Sequence, residues 1–211
     1  LAMLSVSLTW ASPAGAADTV SLSPTADTYL RSGSSDTNEG ASTFLQLRAS
    51  GDNRALVRVD QAALASAVGA GTLVSATLRF TIVDNGNNWG TTGRTISVYR
   101  LTSPWAEGNG FNLQGSPPTR GSGPGATWAC ATDSEVANQA KDCSGSTEWE
   151  MGQPNNPQIH PWTEPATSSV LITNNQSGQV DFDVTADAQD FLNGASNDGW
   201  IVKKDIEGQA G

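Results

Sequence analysis

The sequence of 211 residues holds only one histidine and two cysteines, and each shortage excludes a class of chemistry. A serine hydrolase needs a histidine base beside its nucleophile. Here His160 stands alone among prolines and no Gly-x-Ser-x-Gly motif occurs. A zinc site needs clustered histidine or cysteine ligands, which the sequence lacks. After the first 16 residues, no apolar run approaches the roughly 20 residues that span a bilayer. We therefore expect no serine hydrolase, no zinc enzyme and no membrane insertion.

Positive charge is scarce and unevenly placed. The net charge is -10, with a sequence pI near 4.3. Eight arginines and eight acidic residues lie within the first 120 positions, whereas the rest of the chain has three lysines against thirteen acidic residues. Nucleic-acid binding depends on a basic surface, so we expect no nucleic-acid partner. A local group of arginines could still bind an anionic partner.

The first 16 residues have the features of an export signal. An apolar stretch is followed by small residues before a cleavage point near Ala17, a pattern typical of a signal peptide. We predict that residues 1–16 are a signal-peptide remnant and that residues 17–211 form one secreted, extracellular domain. The other interpretation is an apolar first strand.

The two cysteines and the end of the sequence add two expectations. Cys130 and Cys143 are predicted to form a disulfide, which suits an exported protein. A last strand near 199–204 leaves a sheet edge that an antiparallel sandwich would cover. We therefore expect the domain to be truncated at its C-terminus and to belong to a larger multidomain protein.

The stretch from Leu45 to Val83 contains three segments of alternating apolar and polar residues, at 45–48, 54–60 and 76–82. Such alternation predicts strands with one buried face and one wet face. The wet faces repeatedly carry arginine. Between the second and third segments, Asp60 and Gly69 are predicted to cap and stop a short helix.

The rest of the chain favours the same fold class. Further strands are predicted at 19–24, 26–31, 94–101, 168–173, 179–184 and 199–204, with a second short helix over 185–192 capped by Thr185. Residues 103–165 are rich in Gly, Pro, Asn and Ser and carry four tryptophans, so we predict a long irregular excursion. Its indole rings either anchor the excursion on the sandwich or form exposed platforms for sugars. The fold class is therefore all-β: an antiparallel β-sandwich, jelly-roll-like, with one or two short helices.

Several short motifs, taken in order, resemble the DNRLRE-type domain, which is grouped with carbohydrate-binding module family 96 and disaggregatase-related secreted domains. The residues that carry the resemblance are Ala26–Arg31, Thr37–Gly40, Asp52–Arg54, Ser75–Leu78, Trp105–Glu107, Ala126–Trp128, Val180–Asp187, Asn193–Gly194 and Gly199–Trp200. The resemblance implies a secreted β-sandwich that binds polysaccharide or serves as an extracellular module, with no catalysis of its own.

The arginines on the predicted strands give the sharpest site hypothesis. Arg48, Arg58 and Arg79 would point outward beside Tyr99. An arginine fork pairs with a carboxylate through two parallel hydrogen bonds, so these residues are predicted to bind an acidic, uronate-containing polysaccharide. The other interpretation is that the arginines are solvated and paired with nearby acidic residues.

Two further functions and one metal stay open. The first alternative is a structural or adhesive cell-surface or matrix domain, and the second is a polysaccharide-degrading enzyme of disaggregatase type. No cofactor is required for binding. Oxygen-rich loops with Asp84, Asn88 and Asp198 are candidates for a structural Ca²⁺, although ordinary turn chemistry is the favoured explanation of both loops.

Overall fold

The computed structural model describes residues 4–11, 17–143, 149 and 161–208. These residues form mostly strands with two short helices, which confirms the all-β prediction. The elements in chain order are β1 (Leu4–Ala11), β2 (Ala17–Leu22), β3 (Ala26–Arg31), β4 (Asn53–Arg58), α1 (Gln61–Val68), β5 (Thr72–Ile82), β6 (Arg94–Arg100), β7 (Ser168–Ile172), β8 (Gly178–Asp183), α2 (Thr185–Leu192) and β9 (Trp200–Lys204).

The strands form two antiparallel sheets that pack face to face. One sheet has the order β2-β1-β5-β8 and the other β3-β4-β9-β6-β7. Apolar side chains from both sheets meet in one buried cluster, in which Leu8 and Leu78 of the first sheet join Val57, Val98 and Trp200 of the second. Burial of these side chains is the main force that holds the two layers together. The predicted sandwich is therefore confirmed.

Strand β1 lies inside the first sheet, between β2 and β5. Val6 and Leu8 alternate with polar residues and are buried in the core. The strand occupies part of the segment for which the sequence predicts a signal-peptide remnant. The observed strand does not test whether residues 1–16 are cleaved off, so the signal peptide stays a prediction.

The helix ends follow local chemistry, with one exception. The Asp60 side chain accepts a hydrogen bond from the Ala63 amide at 2.6 Å, and Gly69 ends α1 with φ +56°. Both confirm the predicted cap and stop. The prediction that Thr185 caps α2 is wrong. Thr185 is the first helical residue, and its hydroxyl bonds Asp183 and the Ala76 amide instead of the helix's own free amides.

The two ends of the sandwich differ. Helix α1 follows the end of β4, α2 follows the end of β8, and the two helices contact each other, so both cover the same end of the strands. The opposite end is formed by three connections, at 42–52, 83–93 and 173–177. No helix of the described residues covers this second end.

The excursion that begins at residue 103 packs on the outer face of the five-stranded sheet. Trp105, Trp149 and Trp162 join Leu56 and Ile201 of the sheet in a second buried cluster. These indoles therefore anchor the excursion, as one of the two interpretations expects. Strand β4 is consequently buried on both faces, so its predicted wet face is wrong.

The predicted strand at 45–48 is also wrong. The segment is a loop between β3 and β4, and its side chains do not alternate between core and solvent. Leu45 and Ala49 are buried, whereas Arg48 is exposed. Because the loop lies where the strands end, it has no neighbouring strand to pair with. It becomes one wall of the candidate site.

Candidate functional site

The three arginines predicted to bind polysaccharide do not share one surface. Arg58 lies on β4 in the five-stranded sheet, and its guanidinium stands 5.2 Å from the centre of the Trp105 ring. Arg79 lies on β5 in the other sheet and makes a two-point ion pair with Asp181, at 2.7 and 2.6 Å. The two sheets turn their outer faces in opposite directions. The expected row of arginines is therefore wrong.

Tyr99 is not exposed beside these arginines, in contrast to the prediction. Its side chain is only 4% exposed and packs against Trp162, with the Lys203 ammonium 4.9 Å from the ring centre. The phenol donates to Asp205 at 3.3 Å. Burial, followed by the nearby Glu164 and Asp205 carboxylates, raises the pKa of Tyr99 to about 12. The side chain supports the excursion and has no room for a ligand.

Arg48 lies at a cavity of about 510 Å³ at the end of the sandwich opposite the helices. We call it the strand-end cavity, bounded by the 44–50 loop, the 83–89 loop and the ends of strands from both sheets. Arg48 is exposed and, among the described residues, makes no ion pair or side-chain hydrogen bond. Its fork of donors is therefore available to an anionic group that enters the cavity.

The floor of the strand-end cavity is apolar. Phe80 and Phe182 stack edge to face at 5.9 Å and are buried, as are Ile172, the last residue of β7, and Val202 in the middle of β9. The rim is polar, with Gln46, Gln114 and the 84–88 segment beside Arg48. An apolar cavity with a few polar groups at its mouth is the usual form of a small-ligand site.

The wall that carries Asp84 and Asn88 is held by the neighbouring turn. The Asn85 side chain donates to the carbonyls of Thr173 and Gln176, at 3.0 and 3.2 Å. The Trp89 amide donates to the Asn174 side chain at 2.7 Å. These bonds tie the loop after β5 to the turn between β7 and β8, so this wall is fixed before a ligand arrives.

The facing wall is held by a buried lysine. The Lys204 ammonium donates to the Gly51 carbonyl at 2.7 Å and pairs with Asp52 at 3.0 Å. Although burial raises the pKa of Asp52, the Gly208 amide and Lys204 outweigh it and lower that pKa overall. A lysine 2% exposed is costly unless paired, and its bonds here fix the 49–52 backbone next to Arg48.

The candidate calcium ligands separate into two places. Asp84 and Asn88 both line the strand-end cavity. Asp198 precedes β9 and lies at the helix-covered end. Within the described part of the chain, no group of three or more His, Cys, Asp or Glu side chains comes together. The three residues therefore do not form one metal site, and calcium at either loop stays a prediction.

Glycoside hydrolysis needs two carboxylates across the scissile bond, and the sequence offers five candidates, Glu107, Glu148, Glu150, Asp181 and Asp183. Those that the structure describes have structural partners. Asp181 binds Arg79, and Asp183 accepts from the amide and hydroxyl of Thr185. Glu107 accepts from the Asp27 amide at 2.9 Å, on the outer edge of β3. Glu148 and Glu150 lie outside the described residues. None of the described carboxylates in this set lines the strand-end cavity.

Sequence reasoning missed one buried polar residue, Asn38, which binds the excursion to the loop after β3. We call this residue the latch. Asn38 is 0% exposed: its amide group donates to the carbonyls of Glu107 and Ala126 and its oxygen accepts from the amides of Gly40 and Gly110. The neighbouring Glu39 is also buried, where it pairs with Arg31 and accepts from two amides of the excursion. The only sequence signal is the Thr-Asn-Glu-Gly motif, which indicates a resemblance but no role.

The predicted disulfide is confirmed, because Cys130 and Cys143 are bonded. Among the described residues, no helix has both the length and the apolar character needed to cross a membrane.

Comparison with known proteins identified no matching family model, no matching curated protein and no matching solved structure. The resemblance to DNRLRE-type and family 96 domains therefore stays a prediction.

Proposed function

We propose that the chain is a secreted, non-catalytic carbohydrate-binding module and that it takes an acidic polysaccharide at the strand-end cavity. The observation that carries this proposal is Arg48, an exposed guanidinium without an ion pair among the described residues, at the mouth of a cavity with rigid walls. The disulfide between Cys130 and Cys143 is in keeping with an extracellular location.

The chemistry of the rim suits a uronate. Arg48 can hold a carboxylate through two hydrogen bonds, whereas the Asn88 and Asp84 side chains can bond sugar hydroxyls as donor or acceptor. The Phe44 and Trp89 rings on the lining offer apolar surface to a sugar ring. A cavity at the end of a sandwich admits a chain end or a projecting sugar more readily than the middle of a stiff chain.

Affinity electrophoresis in gels that contain alginate, pectate or a neutral glucan tests this proposal. The wild-type chain should be retarded by an acidic glycan only, and Arg48→Ala should lose at least tenfold in affinity. Arg79→Ala is the matched control, because Arg79 is on another surface and already holds Asp181. Equal retardation of all three proteins would contradict the role of Arg48.

A structural or adhesive role is the second candidate, and the arginine pairing favours it. Among the described residues, five arginines make ion pairs with acidic residues of this chain, so most positive charge is neutralised internally. These pairs are Arg31–Glu39, Arg54–Glu207, Arg79–Asp181, Arg100–Asp190 and Arg120–Asp36. Absence of retardation in every gel would support this candidate over glycan binding. Release of reducing sugar from the acidic glycan would instead support the degrading enzyme.

A further inference from the structure

The lining of the strand-end cavity divides by position in the fold. Every lining residue that lies in a strand is apolar, and every polar lining residue lies in a connection between strands. Beyond the four floor residues named above, Ile82, Ile96 and Val180 reach the cavity from β5, β6 and β8. The cavity therefore has an apolar interior, formed by strands of both sheets, and a polar mouth, formed by loops.

The apolar interior is continuous with the core of the sandwich. The strand residues that line it all belong to the buried cluster that joins the two sheets, and each is only 2 to 5% exposed. The volume of about 510 Å³ falls in the range of roughly 300 to 1,000 Å³ that is usual for ligand pockets. A ligand can therefore place one group at the mouth and another group on the apolar floor.

An unsubstituted uronate matches the mouth but not the interior. Arg48 can bind its carboxylate, and the polar loop side chains can bond its hydroxyls. A hydroxyl that enters further would lose its hydrogen bonds to water, and no polar side chain among the strand residues of the lining would replace them. The interior therefore favours a sugar that carries an apolar substituent.

The charge at the mouth limits which substituent this can be. A methyl ester of the uronate would supply a methyl group but would remove the negative charge that Arg48 binds. An O-acetyl group on a sugar hydroxyl keeps the carboxylate, removes a hydroxyl donor and adds a methyl group. Its ester carbonyl needs a donor: the Gln46 side-chain oxygen accepts from Asn53 at 3.1 Å, which leaves the Gln46 amide N–H groups to donate at the mouth.

We propose, on the basis of the acidic-glycan function above, that the strand-end cavity selects a uronate that carries an O-acetyl group. Arg48 holds the carboxylate, Gln46 donates to the ester carbonyl, and the acetyl methyl group lies on the apolar interior beside Val180. Burial of apolar surface then adds to a charge-assisted contact, so the protein distinguishes acetylated from unacetylated acidic glycan.

Affinity electrophoresis with two forms of one polymer tests the proposal. O-acetylated alginate is compared with the same preparation after mild alkaline removal of its acetyl groups, which leaves the carboxylates in place. Both gels should retard the wild-type chain. The affinity for the acetylated form should be higher by about fourfold or more, the factor that corresponds to burial of one methyl group.

A pair of threonine variants locates the effect. Val180→Thr has nearly the same shape and places a hydroxyl on the cavity floor, so it should remove the preference for the acetylated form and keep the retardation by the de-acetylated form. Val57→Thr is the matched control, because Val57 is buried in the same core but does not line the cavity. It should keep the preference. Circular dichroism checks that both variants are folded.

The outcomes separate this proposal from the function on which it rests. Equal retardation of the wild type by the two polymers, or stronger retardation by the de-acetylated one, would overturn the acetyl selectivity and leave acidic-glycan binding standing. No retardation in either gel would overturn both. A preference that survives in Val180→Thr, or that is lost equally in Val57→Thr, would overturn the placement of the acetyl group on the floor. The comparison of the two polymers uses the wild type alone, so it decides the selectivity even where a variant is unstable.

Discussion

Replacement of Asn38 by alanine tests how the excursion is held on the sandwich. The side chain makes four hydrogen bonds, at 2.7 and 2.8 Å as a donor and at 3.1 and 2.8 Å as an acceptor. Each contributes about 1 kcal/mol net, and buried partners left unsatisfied cost at least as much. We therefore expect Asn38→Ala to lower the free energy of unfolding by about 4 kcal/mol.

Urea unfolding followed by tryptophan fluorescence is the assay, because four of the seven tryptophans lie in the excursion. Asn88→Ala is the control: that side chain is exposed on the cavity rim and its loss should change stability by less than about 0.5 kcal/mol. A loss of under about 1 kcal/mol in Asn38→Ala would show that the latch does not hold the excursion.

Three further predictions concern other parts of the fold. Arg79→Ala should cost less than about 1 kcal/mol in urea unfolding, because both partners of its ion pair with Asp181 are substantially exposed; a loss of 3 kcal/mol or more would be inconsistent with a surface pair. Leu8→Ala should cost about 2 to 5 kcal/mol by the same assay, since the side chain is fully buried between the sheets, and no change would mean that β1 is not part of the folded core. Burial, then Glu107, raises the pKa of Asp27 from 3.8 to about 6, so the folded chain holds this proton more tightly than the unfolded chain. Its stabilising effect is present below about pH 4 and is lost as the pH rises towards 6; Asp27→Asn should flatten the fall in Tm over that interval, and an unchanged slope would contradict this assignment.

Periodicity predicted most of the strands because most strands bury one face in the core and leave the other face more exposed. Segments such as 76–82 alternate strictly, and the structure buries their apolar side in the sandwich. The cap at Asp60 and the stop at Gly69 depend only on neighbouring residues, so they too could be read from the sequence. The loop at 45–48 has the same alternation and no strand to pair with, which periodicity alone cannot detect.

The candidate site could be predicted only in part from the sequence, because its location depends on which strands are neighbours. Arg58 and Arg79 come from adjacent predicted strands but lie in different sheets. Arg54 is only 3% exposed because the excursion folds over β4, a contact between distant parts of the chain. The sequence predicts Arg48 as a candidate, but the cavity that gives it a role is formed by two loops distant in sequence, at 44–50 and 83–89, and by strands of both sheets.

The most direct test of the central claim is a titration of the isotope-labelled chain with a purified uronate oligosaccharide, followed by ¹H–¹⁵N NMR. We predict shift changes that cluster in the two loops around the strand-end cavity, at 44–50 and 83–89, and that vanish in Arg48→Ala. Changes confined to the outer face of either sheet, or none at saturating oligosaccharide, would contradict the assignment of the cavity as the glycan site.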